Sequence, residues 1–232
     1  MVAPPKRPPS HARGGNAGAV RIIGGRWRGT RLPVPAQPGL RPTPDRVRET
    51  LFNWLDNAHP PALPGARVLD LFAGSGALGL EAVSRGAREA WLVERDPGAA
   101  QALRDSVQRL QVGDAVHVAR ADAMQWLQAP LHGRFDLVFL DPPFDAGAWP
   151  RVLPALAPWL ADEAWLYLES PVDAGIDPGP GWRPHRTGDT REVRYALYRR
   201  APGPAATLRP DPEAPPAGGA GHDANPDANP TA

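Results

Sequence analysis

The chain of 232 residues has no cysteine, a single lysine (Lys6), and no apolar run approaching the length of a bilayer span. Without cysteine, disulfides, a thiolate nucleophile and thiolate-zinc sites are all excluded. His117, His132 and His185 show no spacing that suggests a ligand set or catalytic pair, so no metal centre is expected. Residues 1–18 contain no apolar stretch that could form the core of a signal peptide. A soluble cytoplasmic protein with no membrane contact is therefore expected. No internal repeat is present.

Proline and glycine are abundant, at 31 and 24 residues, and much of the excess lies at the two ends. Residues 1–18 and 201–232 lack hydrophobic periodicity and read as disordered tails. The hydrophobic fraction of 42% suits one globular domain with a sizeable core, running from about residue 20 to residue 200. The net charge of +1 conceals an uneven distribution. Residues 1–48 carry ten of the 26 basic side chains against one acid, Asp45, whereas residues 201–232 lean acidic. A basic N-terminal block is an electrostatic footprint for nucleic acid. Richness in Ala, Arg, Pro and Gly fits GC-rich coding, so the position of the arginines carries more weight than their number.

Residues 20–23 and 30–34 flank Gly24-Gly25-Arg26-Trp27-Arg28-Gly29, which predicts a glycine-rich β-hairpin with Arg26, Trp27 and Arg28 at its tip. Thr43 is a good N-cap, with Pro44 at the first helical position. Val47, Leu51, Trp54 and Leu55 then share one helical face. After a Pro-rich break at 60–64, strands over 67–72, 90–94, 115–120, 135–140, 164–169 and 193–198 alternate with helices over 77–85, 97–110, 123–128 and 149–160. That alternation predicts an α/β fold with a mostly parallel sheet covered by helices on both faces.

The chemistry gathers at the strand ends. Asp70-Leu71-Phe72-Ala73-Gly74-Ser75-Gly76-Ala77-Leu78-Gly79 joins the first strand of this series to its helix. Its glycines allow a tight turn and close ligand approach to the helix N-terminus. Gly74, Gly76 and Gly79 satisfy G-x-G-x-x-G, and Glu94 ends the next strand where an acid holds a ribose diol. An NAD-type dinucleotide site therefore stays open. Asp70 is poorly placed beside a pyrophosphate, however, and suits the ammonium of a methionine moiety. Asp122 is placed to accept from an adenine amino group, or to cap the next helix. S-adenosylmethionine accounts for all three acids together with the glycines; capping accounts for them one at a time. Asp141-Pro142-Pro143-Phe144 follows the strand over 135–140, where two prolines enforce a rigid turn. An acid, a free proline carbonyl and an aromatic ring can together grip a flat base and its amino group.

Four stretches in order carry a family resemblance over about residues 21–200. They are Arg21-Ile22-Ile23-Gly24-Gly25-Arg26-Trp27-Arg28-Gly29, then Arg41-Pro42-Thr43 with 45–55, then the glycine loop running on to Ala82, and Asp141–Phe144. The chain resembles the bacterial 16S rRNA guanine-N2 methyltransferases of the ribosomal small-subunit methyltransferase D family. The resemblance implies a Rossmann-like class I methyltransferase domain over 61–200, with a seven-stranded, mostly parallel sheet. A small basic hairpin-and-helix extension over 19–60 would precede it. It implies S-adenosyl-L-methionine as cofactor, held by Asp70, Phe72, Ala73, Gly74, Ser75, Gly76, Glu94, Asp122 and Ala123. Asp141, Pro142, Pro143 and Phe144 would form the catalytic turn. The substrate would be the exocyclic amine of a guanine in a 16S rRNA hairpin loop, customarily numbered 966, in an assembly intermediate or the assembled small subunit. Arg26, Trp27, Arg28, Arg41, Arg46 and Arg48 would engage the RNA. A monomer without metal is expected. Rival readings are an adenine-N6 nucleic-acid methyltransferase, a protein-glutamine methyltransferase and an NAD-dependent oxidoreductase. The glutamine enzymes are expected to carry Asn in place of Asp141.

Overall fold

The computed structural model describes residues 18–34, 43–144 and 147–201. The predicted tails, apart from Gly18 and Ala201, lie outside the described residues, as does Arg41. The elements are β1 Gly18–Arg21, β2 Arg31–Val34, α1 Asp45–Asp56, β3 Arg67–Asp70, α2 Ala77–Ser84, β4 Glu89–Glu94, α3 Pro97–Leu110 and β5 Val116–Arg120. They continue with α4 Ala123–Leu127, β6 Phe135–Leu140, α5 Trp149–Leu156, a 3-10 turn Ala157–Trp159, β7 Leu160–Pro171, β8 Trp182–Asp189 and β9 Val193–Arg200.

β1 and β2 form a separate antiparallel pair, and the other strands make one sheet in the order β5-β4-β3-β6-β7-β9-β8. β5, β4, β3, β6 and β7 are parallel; β9 runs antiparallel to both of its neighbours. The chain moves outward from β3 to β5, then returns to β6 on the other side of β3. Strand order reverses there, and such a reversal opens a crevice beyond the carboxyl ends of β3 and β6.

Each face of the sheet has its own apolar layer. One joins α1, α2, α3 and the hairpin to the sheet through Ile22, Leu32, Leu51, Phe52, Leu80 and Phe139. The other packs α4 and α5 through Trp126, Val152, Leu156, Phe135 and Trp159. Phe52 meets Phe139 edge-on at 6.1 Å. Full burial of a side chain of this size contributes about 1.5–3 kcal/mol, which is why α1 belongs to the body of the fold.

Three expectations are corrected. Thr43 does not cap α1: the first helical amides, Val47 and Arg48, bond the Pro44 carbonyl, while the Thr43 hydroxyl turns away to Glu169. The helix expected over 149–160 ends at Leu156, since Pro154 and Pro158 break its hydrogen-bond ladder, and Leu160 already opens β7. β8 lies between the strands expected over 164–169 and 193–198, where the residue pattern assigned no element. It is an edge strand, polar, interrupted at Pro184 and largely exposed, so it shows no apolar alternation.

Candidate active site

β3, β4, β5 and β6 deliver their carboxyl ends to one edge. At the end of β3, Asp70 is buried and its Oδ2 accepts the Gly79 amide of α2 at 3.0 Å. Burial, reinforced by Glu94 and opposed by the Gly79 amide, pushes Asp70 up to about 7. Gly74 and Gly76 adopt left-handed backbone at φ 52° and 75°, and the Gly76 amide closes the turn on the Ala73 carbonyl at 2.6 Å. Gly79 has a different task. A Cβ there would stand 2.2 Å from Leu92 Cδ2, so its hydrogen lets α2 lie against β4. Phe72, Ala73 and Ser75 complete the loop.

Glu94, ending β4, is oriented by two amides: Gly74 N at 2.9 Å and Asp96 N at 2.7 Å. Asp122 caps α4 through Oδ1, which accepts from Met124 N at 2.9 Å and Gln125 N at 3.2 Å. Its other oxygen has no donor among the described residues. A cleft runs between these acids, lined by Phe72, Glu94, Asp122, Ala123, Met124 and Pro143. Arg95 and Arg151 also reach it, although their sequence context carried no signal beyond Arg95 following Glu94.

The turn after β6 closes this edge. Pro142 is buried, Pro143 and Phe144 are exposed, and the Phe144 ring lies 6.1 Å from Trp149. Burial, with Glu169 and then Asp70 nearby, drives the Asp141 carboxyl well above the usual carboxylate range. Glu169, at the end of β7, is likewise raised by burial. Its Oε1 accepts from Tyr167 OH at 2.7 Å and from Thr43 Oγ1 at 2.9 Å. Asp70, Asp141 and Glu169 thus form a file of acids along one edge, with no cation beside them among the described residues. A bound ammonium or sulfonium would relieve that repulsion, so this site suits a cationic cofactor of the S-adenosylmethionine type and disfavours a pyrophosphate.

The basic residues separate into distinct groups. The hairpin tip is bound down on the C-terminal end of α2: Arg26 N bonds Ser84 O at 2.8 Å and Trp27 N bonds Ser84 Oγ at 3.0 Å. Arg26 and Arg28 remain exposed, and Trp27 is half-buried beneath the Arg26 guanidinium at 5.2 Å. This tip is roughly 12 Å, the length of an eight-residue helix, from the glycine loop. Arg46 is exposed on the first turn of α1, at the acid-bearing edge. Arg48 overturns its assignment as an RNA contact: it is fully buried. Its guanidinium donates to Asp45 Oδ1 at 2.7 Å and to the Arg21 carbonyl at 2.9 Å, and lies 3.8 Å from Glu81. Among the described residues no helix is long and apolar enough to cross a membrane, and no side-chain group could hold a metal ion.

Comparison with known proteins accords with this geometry. The profile of a family described as "Conserved hypothetical protein 95" matches residues 20–199. A ribosomal RNA small subunit methyltransferase D from Escherichia coli is 47% identical over 195 residues, covering 83% of this chain and 94% of the relative. Its Haemophilus influenzae counterpart is 39% identical over 186 residues, covering 78% and 94%. A solved structure of a putative methyltransferase from Escherichia coli superposes with a TM-score of 0.71 at 44% identity, covering 80% of this chain and all of that one. The seven-stranded sheet, its strand order and these likenesses make the fold a Rossmann-like methyltransferase fold, and the chain belongs to the ribosomal RNA small subunit methyltransferase D family.

Proposed function

We propose that the protein methylates the exocyclic N2 amine of a guanine in a hairpin loop of 16S rRNA, using S-adenosyl-L-methionine. The observation that carries this reading is the file of acids formed by the buried Asp70 and Glu169 with the half-buried Asp141, whose rigid turn to Phe144 lies beside the glycine loop. The cofactor supplies a methyl group on a sulfonium, a good leaving group. Asp70 and the glycine loop hold its amino-acid end, Glu94 its ribose and Asp122 its adenine amine.

The guanine N2 lone pair is delocalised into the ring, so the free base is a poor nucleophile. Asp141 and the Pro142 carbonyl accept the two N2 hydrogens and favour a pyramidal nitrogen aimed at the cleft. Hydrogen bonds to a charged partner contribute about 1.5–3 kcal/mol each, and alignment supplies much of the remaining acceleration. The target base must leave its stack to reach the cleft, and the exposed Phe144 ring offers it a stacking surface worth about 1–3 kcal/mol. The methylated nitrogen is acidic enough to lose its proton to Asp141 or water. The extension over 19–60 brings Arg26, Arg28 and Arg46 to the RNA, and the domain over 61–200 does the chemistry. The protein works as a monomer in the cytoplasm.

The decisive experiment incubates the protein and labelled cofactor with naked 16S rRNA, assembly intermediates and mature small subunits, then maps the modified nucleotide. Label on an adenine, or on protein, would refute the reading.

Cofactor affinity should depend on pH through Asp70, which must be ionised to hold an ammonium. Its carboxyl titrates at about 7 in the free protein. Affinity should therefore fall about tenfold per pH unit below about pH 7, with a proton released on binding in acidic buffer. Calorimetry in buffers of different ionisation enthalpy measures that proton. Affinity that stays constant through this range would remove Asp70 from the cofactor site.

Replacing both Arg26 and Arg28 by Glu should weaken RNA binding and flatten its salt dependence by about two phosphate contacts. An unchanged slope in a salt titration would take the hairpin tip off the RNA.

A further inference from the structure

Glu169 has no part in the chemistry just derived, yet two hydroxyls hold it beside the catalytic turn. β6 and β7 are parallel neighbours with Phe139 opposite Tyr167 and Leu140 opposite Leu168. Asp141 and Glu169 each follow one step on. Paired residues of adjacent strands point to the same face about 4.8 Å apart, so the two carboxyl groups stand side by side at the carboxyl edge of the sheet, close enough for Glu169 to act on Asp141. Glu169 is 4% exposed. Thr43 and Tyr167 both donate to its Oε1, which fixes the plane of the carboxylate. No described residue donates to Oε2.

A guanine brought against Asp141 and Glu169 presents three hydrogens on its Watson–Crick edge, two on N2 and one on N1. Asp141 and the Pro142 carbonyl take the pair on N2. The N1–H then enters a desolvated place without an acceptor, and an unpaired buried donor is costly. We propose that Glu169 is the residue that reads guanine: its Oε2 accepts N1–H while the neighbouring Asp141 holds N2. An adenine, or any purine whose N1 is an unprotonated acceptor, sets a lone pair against that carboxylate and is rejected. Sites built to bond a particular substrate hydrogen discriminate strongly against analogues lacking it. Thr43 and Tyr167 are positioning residues in this scheme: Tyr167 acts through Glu169, and Thr43 through Glu169 and the adjoining Asp141.

This inference rests on the guanine-N2 reading, and the test separates the two. Substrate particles are assembled with either guanine or 2-aminopurine at the mapped position. 2-Aminopurine keeps the C2 amine but carries a bare N1 lone pair. Methylation of both is measured in alkaline buffer for the wild type and for Glu169→Gln, whose amide keeps an acceptor for Thr43 and Tyr167 and can donate to a bare N1. The wild type should methylate guanine at least about a hundredfold faster than 2-aminopurine. Glu169→Gln should lose guanine activity, gain 2-aminopurine activity and reduce that preference at least tenfold, with cofactor affinity unchanged. A wild type that accepts both bases equally overturns the inference even if the variant does not fold. So does a variant with the wild-type preference. A wild type that forms no N2-methylguanine at all overturns the function reading and this inference with it.

Discussion

Asp141→Ala is expected to slow methyl transfer by about a thousandfold or more while S-adenosylmethionine binds within a few-fold of its normal affinity. The loss follows from two effects in sequence. The substitution removes a charged acceptor of an N2 hydrogen, about 1.5–3 kcal/mol and so one to two decades of rate. It also frees the nitrogen to lie flat, which loses the alignment of nitrogen with methyl. Stability should not suffer. Asp141 is flanked by Glu169 and Asp70, both acids, and burial opposes its ionisation. Deleting it relieves a like-charge contact, so the melting temperature should hold or rise. Single-turnover rates, cofactor calorimetry and a thermal melt test the three parts together. Loss of cofactor binding in this variant would mean that Asp141 serves the cofactor.

Glu81→Ala should be the most damaging substitution for stability among the charged residues. The Glu81 carboxylate is fully buried in α2. Its oxygens accept Ile23 N at 2.6 Å, Gly24 N at 2.7 Å and Arg85 Nε at 2.8 Å, with Arg48 Nη1 3.8 Å away. Truncation strands two backbone donors, removes the carboxylate paired with Arg85 Nε, and leaves the buried Arg48 with Asp45 as its remaining counter-charge. Breaking a buried pair by removing one partner costs about 3–5 kcal/mol. For a chain of this size that lowers the melting temperature by about 10 °C. Residues 18–34 should also become the first site of proteolysis, because the carboxylate ties the hairpin to the helix. A melt within a degree or two of wild type, with the hairpin still protected, would show that the apolar contacts of Ile22 and Leu32 hold the extension unaided.

What was legible in the sequence was whatever depends on neighbours along the chain. The glycine loop, the cap at Asp122 and the strand over 135–140 are local patterns, and each formed where expected. Features set by distant partners were hidden. Arg48 occupies a helical position adjoining the apolar stripe, but its charge suggested solvent, and only the folded chain supplies Asp45, the Arg21 carbonyl and Glu81 to receive it. Thr43 has the right chemistry and place for an N-cap. Its partner is instead Glu169, 126 residues later. β8 shows the same limit from another side. An edge strand needs only one neighbour and little apolar surface, so nothing in its residue pattern announces it.

The anchoring of the hairpin on Ser84 gives α2 one end in each of two tasks. Its first turn receives the glycine loop and Asp70; its last carries the exposed Arg26 and Arg28. If Arg26 and Arg28 bear on the RNA as proposed, a rigid rod between that cationic foot and the glycine loop would work as a gauge. An RNA resting on that foot would offer the loop only the nucleotide lying one helix-length away, so the spacing along the RNA would select the position and the cleft would only verify the base. Lengthening α2 by a turn would move the chosen position without altering a single residue that touches it.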